Sequence, residues 1–494
     1  MLQVNDSVML EKYNRLDLLR KEIDACYQLP VAERAARLKV AEPEAEALEK
    51  ELVKGCKEYG DFMSNLHVDC ATVAQQLGAD DAAIEFVSFE MEGHGTTYAA
   101  LIMRRGWDAP RMKMLCSQSD LDTLRCANGS FTTALRSQRY INSIYTDTLL
   151  TRMVWQPILK ECEGVRNIYF SPCGMFYQLA IEYLPLNDSL CVADNYNCYR
   201  ISSTATAGLH QSASHITQAA VYGGIDYDTD LNTLQALHNT REWEHEMAQS
   251  ITDVDDNDLA LAQPADSMLT RAGFAYLPGT KAESDAIGEI LMQNGINTLM
   301  RQGEAATEES FKALSANHFS LIHIATHGFY FTPDDVSHSQ TARAILQESG
   351  AADQSMNYAG LLLSGAQTAL NTSHFPRNIE NGILTAREIS LLDLRQLDLV
   401  VLSACKTGVG EVKDDGVFGL QRAFKKAGAK SLIMSLWSVN DAATEYMMTQ
   451  FYTYLAEGAT KQQAFRRAQA SLRQTPEFSA PTCWAAFIML DAQD

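Results

Sequence analysis

Two stretches of this 494-residue chain decide how it reads: 319-FSLIHIATHG-328 and 397-LDLVVLSACKTG-408. Each is mainly apolar until it meets one reactive side chain, His327 in the first and Cys405 in the second. Glycine follows in both, as Gly328 and Gly408. Apolar runs of this length are the signature of strands covered on both faces. The segments 219-AAVYGGIDY-227, 297-NTLMRQG-303, 430-KSLIMSLW-437 and 485-AAFIML-490 read as further strands. Between them, 281–294, 308–317, 416–428, 441–458 and 461–473 carry apolar residues at helical spacing. Such alternation predicts a largely parallel sheet with helices on both faces, and in such sheets reactive groups gather at the carboxyl ends of the strands. His327 and Cys405 are 78 residues apart, enough for the second strand to return beside the first.

An imidazole and a thiol meeting in one cleft have a definite chemistry. A thiol with an ordinary pKa near 8.5 is only slightly ionised at neutral pH; a neighbouring imidazole takes its proton and later returns it to a leaving amine. A glycine after the histidine lets the backbone approach a scissile carbonyl. The expected oxyanion donors are the backbone at Gly328 and the N–H of Cys405. His323, four residues back on the strand, is expected to matter for stability alone. A zinc site through His323 and His327 is not expected, because i and i+4 lie about 13 Å apart on a strand and the accompanying glutamate is missing.

The blocks HIATHG (323–328), GILTAREISLLDLRQLDLVVLSACKTG (382–408) and GVFGLQRAFKKAGAKSLIMSLWSVND (416–441) resemble the CHAT family of caspase-like cysteine peptidases, relatives of separases that are often fused to tetratricopeptide repeats. YGGIDY (222–227) and LPGTKAES (277–284) fit the same family, and the likeness covers roughly 160–494. It implies an endopeptidase with His327 as general base and Cys405 as nucleophile, acting on one or a few protein partners. Two departures bear on specificity. SACKTG is not the QACRG of animal caspases, so aspartate specificity does not follow. Ser403 stands two residues before the cysteine, where metacaspase relatives carry an aspartate that holds a basic P1 side chain. Either Asp441 takes over that role or the pocket is not acidic; Asn440 and Asp441 also read as caps of the helix that follows.

The expected α/β architecture has three parts: an N-terminal helical segment at 1–65, a small accessory α/β region at 66–160 with a hairpin of AAIEFVSFEM and TTYAALIMRR, and the caspase-like domain at 161–494. Residues 228–266 hold ten Asp or Glu against Arg241 alone and read as a solvated loop insertion. GVGEVKDDG (408–416) reads as a mobile active-site loop, and 330–360 and 371–382 as long polar connections.

A net charge of −22 argues against nucleic acid and anionic membrane surfaces as partners. No apolar run is long enough to span a bilayer, and the start lacks a secretory pattern. Eleven cysteines without a CxxC pair favour free thiols in a reducing, cytoplasmic setting with neither metal nor cofactor. The rival readings are a catalytically idle adaptor on the same fold, or another Cys–His acyl-transfer enzyme such as an amidase. A regulatory partner contacting the N-terminal helices is expected to order the active-site loops, with Arg343 and Arg377 as self-cleavage points if P1 is basic.

Overall fold

Eleven of the sixteen strands among the described residues join one sheet in the order β3-β2-β1-β4-β5-β16-β15-β12-β8-β6-β7. These strands are β1 (Asp81–Met91), β2 (Gly95–Arg104), β3 (Arg111–Ser117), β4 (Asn167–Ser171), β5 (Asn197–Arg200), β6 (Gln218–Ile225), β7 (Asn297–Gly303), β8 (Leu321–Thr326), β12 (Leu399–Ala404), β15 (Ser431–Ser435) and β16 (Phe487–Leu490). The computed structural model describes residues 68–93, 95–124, 138–209, 216–239, 274–315, 317–331, 356, 358–372, 375–376, 378–404, 411–413 and 416–494, with scattered helical positions between 12 and 48.

The sheet is two parallel blocks set back to back. Strands β15, β12, β8, β6 and β7 run parallel to one another. So do β1, β4, β5 and β16. The seam is β16, antiparallel to β15 through Leu432↔Leu490 to Ser435↔Phe487. The hairpin of β1 and β2 forms as expected, with β3 added antiparallel at the edge. A second sheet, β11-β10-β9, holds β9 (Gly328–Tyr330), β10 (Ala359–Leu362) and β11 (Ile383–Thr385).

The central strands are apolar because both faces are covered. Every residue of β8 is buried, and Leu399 to Leu402 of β12 are fully so. One face carries α1 (Pro278–Gln293) and α2 (Asp441–Ala456), which pack on each other. The other carries Tyr222 against Phe311, and Phe311 against Phe424. Alternation along β6 decides this: Tyr222 turns to one face and Gly223 to the other. A third long helix, α3 (Lys461–Gln474), packs on α2.

Three expectations change. Residues 416–428 are not one helix: Gly416–Phe418 forms β14, paired with β13 (Glu411–Lys413) inside the segment read as a mobile loop. Gly419 separates it from the helix at Leu420 with φ 154° and ψ −151°, a conformation essentially reserved for glycine. The helix expected over 308–317 stops at Lys312, where i→i+3 bonds such as Ser315 N–H to Lys312 O take over. The acidic stretch begins with a helix, Leu231–Asn239, because Asp230 accepts from the N–H groups of Asn232 and Thr233 and Leu234 is buried. Its remainder, 240–273, lies outside the described residues. Within the N-terminal segment, Leu16, Leu19 and Ala45 are buried, and Arg15 pairs with Glu44 at 2.9 Å.

Near the seam, Arg200 makes a two-pronged contact with Glu182 at 3.2 and 2.8 Å and also donates to Leu179 O at 2.6 Å. Both side chains are under a tenth exposed. Arg200→Leu leaves Glu182 buried and unpaired, and is expected to lower unfolding free energy by about 3–5 kcal/mol in urea titration.

Candidate active site

His327 stands between two sheets. Strand β8 ends at Thr326 and β9 begins at Gly328, so the histidine is the hinge residue at the carboxyl end of β8. Gly328 lies opposite Leu361 in antiparallel register, and Leu362 N–H donates to His327 O at 2.9 Å. The His327 backbone N–H donates to the Tyr227 hydroxyl at 3.2 Å, and that hydroxyl also lies 2.9 Å from Thr326 Oγ1. The Tyr227 and Phe274 rings flank the imidazole, with centroids 5.1 and 6.2 Å away.

The imidazole has a fixed orientation. His327 Nε2 lies 2.8 Å from the carbonyl oxygen of Ala275. A carbonyl only accepts, so Nε2 carries the proton in this contact and the neutral ring keeps Nδ1 as its acceptor. An imidazole oriented by a backbone carbonyl in this way has the arrangement that triad chemistry requires of a base.

Below His327 is a small cavity lined in part by Thr280, Glu283, Thr326, Ser403 and Asp441. The beginning of α1 forms one wall. It fits because Gly223 of β6 has no side chain: a Cβ there would stand 2.4 Å from Thr280 O and 2.6 Å from Ser284 Cβ. Gly224 N–H donates to Thr280 Oγ1 at 3.0 Å, which fixes the contact. The blocks YGGIDY and LPGTKAES thus meet to build the site.

Two buried polar atoms in this lining have no hydrogen-bond partner among the described residues, Glu283 Oε1 and Ser403 Oγ. Their residues are 3% and 7% exposed, and buried polar groups are nearly always paired. Behind Glu283, His323 is fully buried. Its Nε2 lies 3.3 Å from Glu283 Oε1 without hydrogen-bond geometry, and its Nδ1 lies 3.2 Å from the Tyr452 hydroxyl.

Asp441 is the first residue of α2 and lies at the exposed side of the cavity. The cap is Asn440, whose Oδ1 accepts from the N–H groups of Ala442 and Ala443. The Asp441 carboxylate has no ion pair among the described residues. Gly279 faces it so closely that an added Cβ would stand 2.8 Å from Asp441 Cβ.

Cys405 lies outside the described residues, as do Arg343 and Arg377. The chain is described up to Ala404, its immediate neighbour, which pairs with Thr326 in the parallel β12–β8 register. Glu283 and Ala275 escaped the sequence reading. For Glu283 there is a signal: it sits in the buried stripe Thr280, Glu283, Ser284, Ile287, Gly288, Leu291 of α1, where an apolar residue belongs. A backbone carbonyl such as that of Ala275 leaves none.

Among the described residues, one group of three acids stands close enough to hold a metal: Glu308, Glu380 and Glu388. An ammonium already occupies its centre, with Lys312 Nζ at 2.8, 2.8 and 3.0 Å from the three carboxylates. Burial pushes the Lys312 ammonium down, but the three carboxylates outweigh it and hold its pKa well above the ordinary lysine range. No helix among the described residues is long and apolar enough to cross a membrane.

A large, mostly parallel sheet with helices on both faces defines an α/β protein, and a histidine stands fixed at one of its strand ends. The CHAT domain family matches residues 146–492, and the chain belongs to that family. Among curated proteins it is similar to tetratricopeptide repeat protein 28 of Mus musculus, 28% identical over 232 residues, covering 45% of this chain and 9% of that protein. The Homo sapiens protein of the same name is 27% identical over 231 residues, with the same coverage. The chain therefore spans about a tenth of the length of these relatives. Among solved structures it is similar to the Arg-specific cysteine proteinase gingipain R, with a TM-score of 0.38, 10% identity and coverage of 76% of this chain and 70% of that one. It is also similar to the Saccharomyces cerevisiae separase–securin complex, with a TM-score of 0.43, 8% identity and coverage of 96% and 32%.

Proposed function

We propose that this chain is a cysteine endopeptidase in which Cys405 is the nucleophile and His327 the general base. The register Ala404↔Thr326 carries the reading. Cys405 and His327 are each bonded directly to a member of that pair, Cys405 to Ala404 and His327 to Thr326. His327 Nδ1 takes the thiol proton, and the thiolate sulfur attacks the scissile carbonyl. The N–H groups of Gly328 and Cys405 receive the developing oxyanion. His327 then passes the proton to the leaving amine, and water hydrolyses the thioester.

The same proposal gives the cavity the part of an S1 pocket for a basic side chain. Ser403 Oγ is buried with no hydrogen-bond partner among the described residues, Glu283 lines the cavity as a buried carboxylate beside His323, and Asp441 adds a carboxylate at the rim. A P1 lysine or arginine supplies the missing donors and the opposite charge. Asp441→Asn is expected to lower kcat/KM for Arg and Lys substrates by about 10-fold, the scale of one charged hydrogen bond, while leaving uncharged P1 residues unaffected. A positional-scanning peptide library measures this; a profile indifferent to P1 charge removes the S1 assignment and leaves the dyad standing. Control through the N-terminal helices belongs to the proposal as well. It predicts different cleavage rates for the full chain and for a chain starting near residue 66.

A further inference from the structure

A larger cavity, about 400 Å³, is lined by α3, Tyr183, Ala193, Asp194 and Trp484 rather than by His327. Three arginines of α3 border it: Arg466, Arg467 and Arg473. They concentrate positive charge on a chain whose net charge is −22. Each guanidinium is held in place by the protein. Arg466 donates to Asn197 Oδ1 at 2.5 Å and to Ala193 O at 2.6 Å, and no carboxylate lies within 4 Å of it among the described residues. Arg467 donates to Glu457 at 3.2 Å, with its guanidinium 3.8 Å over the Tyr454 ring. Arg473 donates to Asp194 Oδ2 at 3.0 Å and to Ser189 O at 3.1 Å, and sits 5.1 Å from the Trp484 ring centroid.

Five N–H donors per guanidinium leave several on each arginine for a ligand. The acid in the lining, Asp194, is already engaged: besides Arg473 it accepts from the Cys191 N–H at 2.7 Å. What remains is one guanidinium without an ion pair among the described residues, Arg466, beside two that are paired with Glu457 and Asp194, each with N–H donors to spare. The cavity's volume falls in the range of small-molecule sites. Forked guanidinium donors match the oxygens of phosphate.

We propose that this cleft binds a phosphate-bearing small molecule of nucleotide size, with its phosphate oxygens on the three guanidinium groups. The volume favours such a ligand over an extended acidic peptide. This inference is independent of the peptidase reading.

The test is isothermal titration of the full chain with ADP, pyrophosphate, adenosine and hexaglutamate. ADP and pyrophosphate are expected to bind at one site per chain and more weakly as salt rises, with adenosine and hexaglutamate silent. Arg467→Ala, at a half-exposed position, should weaken ADP by about 10- to 100-fold with an unshifted unfolding transition. Arg466→Lys keeps the charge and loses the fork, and should also weaken it. The proposal is overturned if neither phosphate compound binds, if adenosine binds as well as ADP, if hexaglutamate binds more tightly than ADP, or if both variants bind ADP unchanged.

Discussion

His327→Ala is expected to lower kcat/KM for a cleaved peptide by about 10²–10⁴-fold while leaving the fold in place. The side chain is only partly buried, and its ring touches Tyr227 and Phe274 at the edge of the core rather than within it. The backbone contacts of residue 327, to the Tyr227 hydroxyl and from Leu362 N–H, survive the substitution. Loss of activity with an unchanged unfolding curve therefore separates a chemical role from a structural one. His323→Ala supplies the contrast. It empties a fully buried site beside Glu283 and Tyr452, so stability should fall along with any activity. An active His327→Ala enzyme paired with a dead but stably folded His323→Ala enzyme would reverse the assignment of the base.

The strands that border the candidate site were legible because burial on both faces writes a continuous apolar run, and His327 marks the end of one. The direction of β16 was not: a four-residue apolar strand reads the same whichever way it runs, and the antiparallel seam arises from tertiary packing. The break at Gly419 was hidden for a similar reason. The helical spacing of 416–428 is real from Leu420 onward, but a single glycine in a non-helical conformation resets what precedes it. The start of the acidic stretch was misread from composition, which overlooked Asp230 as a cap and Leu234 as an anchor.

Within the site, the sequence offered Asp441 two roles, cap or pocket acid. Asn440 makes the capping bonds, which leaves the Asp441 carboxylate facing the cavity and Gly279. Glu283 could have been found as the acid in the buried stripe of α1. Ala275 could not, because any residue presents the same carbonyl and only the fold brings it to His327.

Thiol-directed alkylation near neutral pH is expected to mark Cys405 ahead of the structural cysteines. Burial pushes the Cys116 and Cys191 thiols up to about 12 and Cys162 to about 11, with nearby carboxylates adding to the effect. Burial also raises Cys198 well above its ordinary value. Since the thiolate is the reactive form, these four stay silent, whereas a thiol that hands its proton to His327 does not. Cys70 is exposed and serves as the internal reference for an ordinary surface thiol. Faster labelling of Cys70 than of Cys405 would argue against an activated nucleophile. The measurement closest to the central claim is peptide-library cleavage by the full chain beside its Cys405→Ala variant. The predicted result is defined cleavage by the first and none by the second, with both folded; undiminished cleavage by Cys405→Ala would contradict the assignment of the nucleophile.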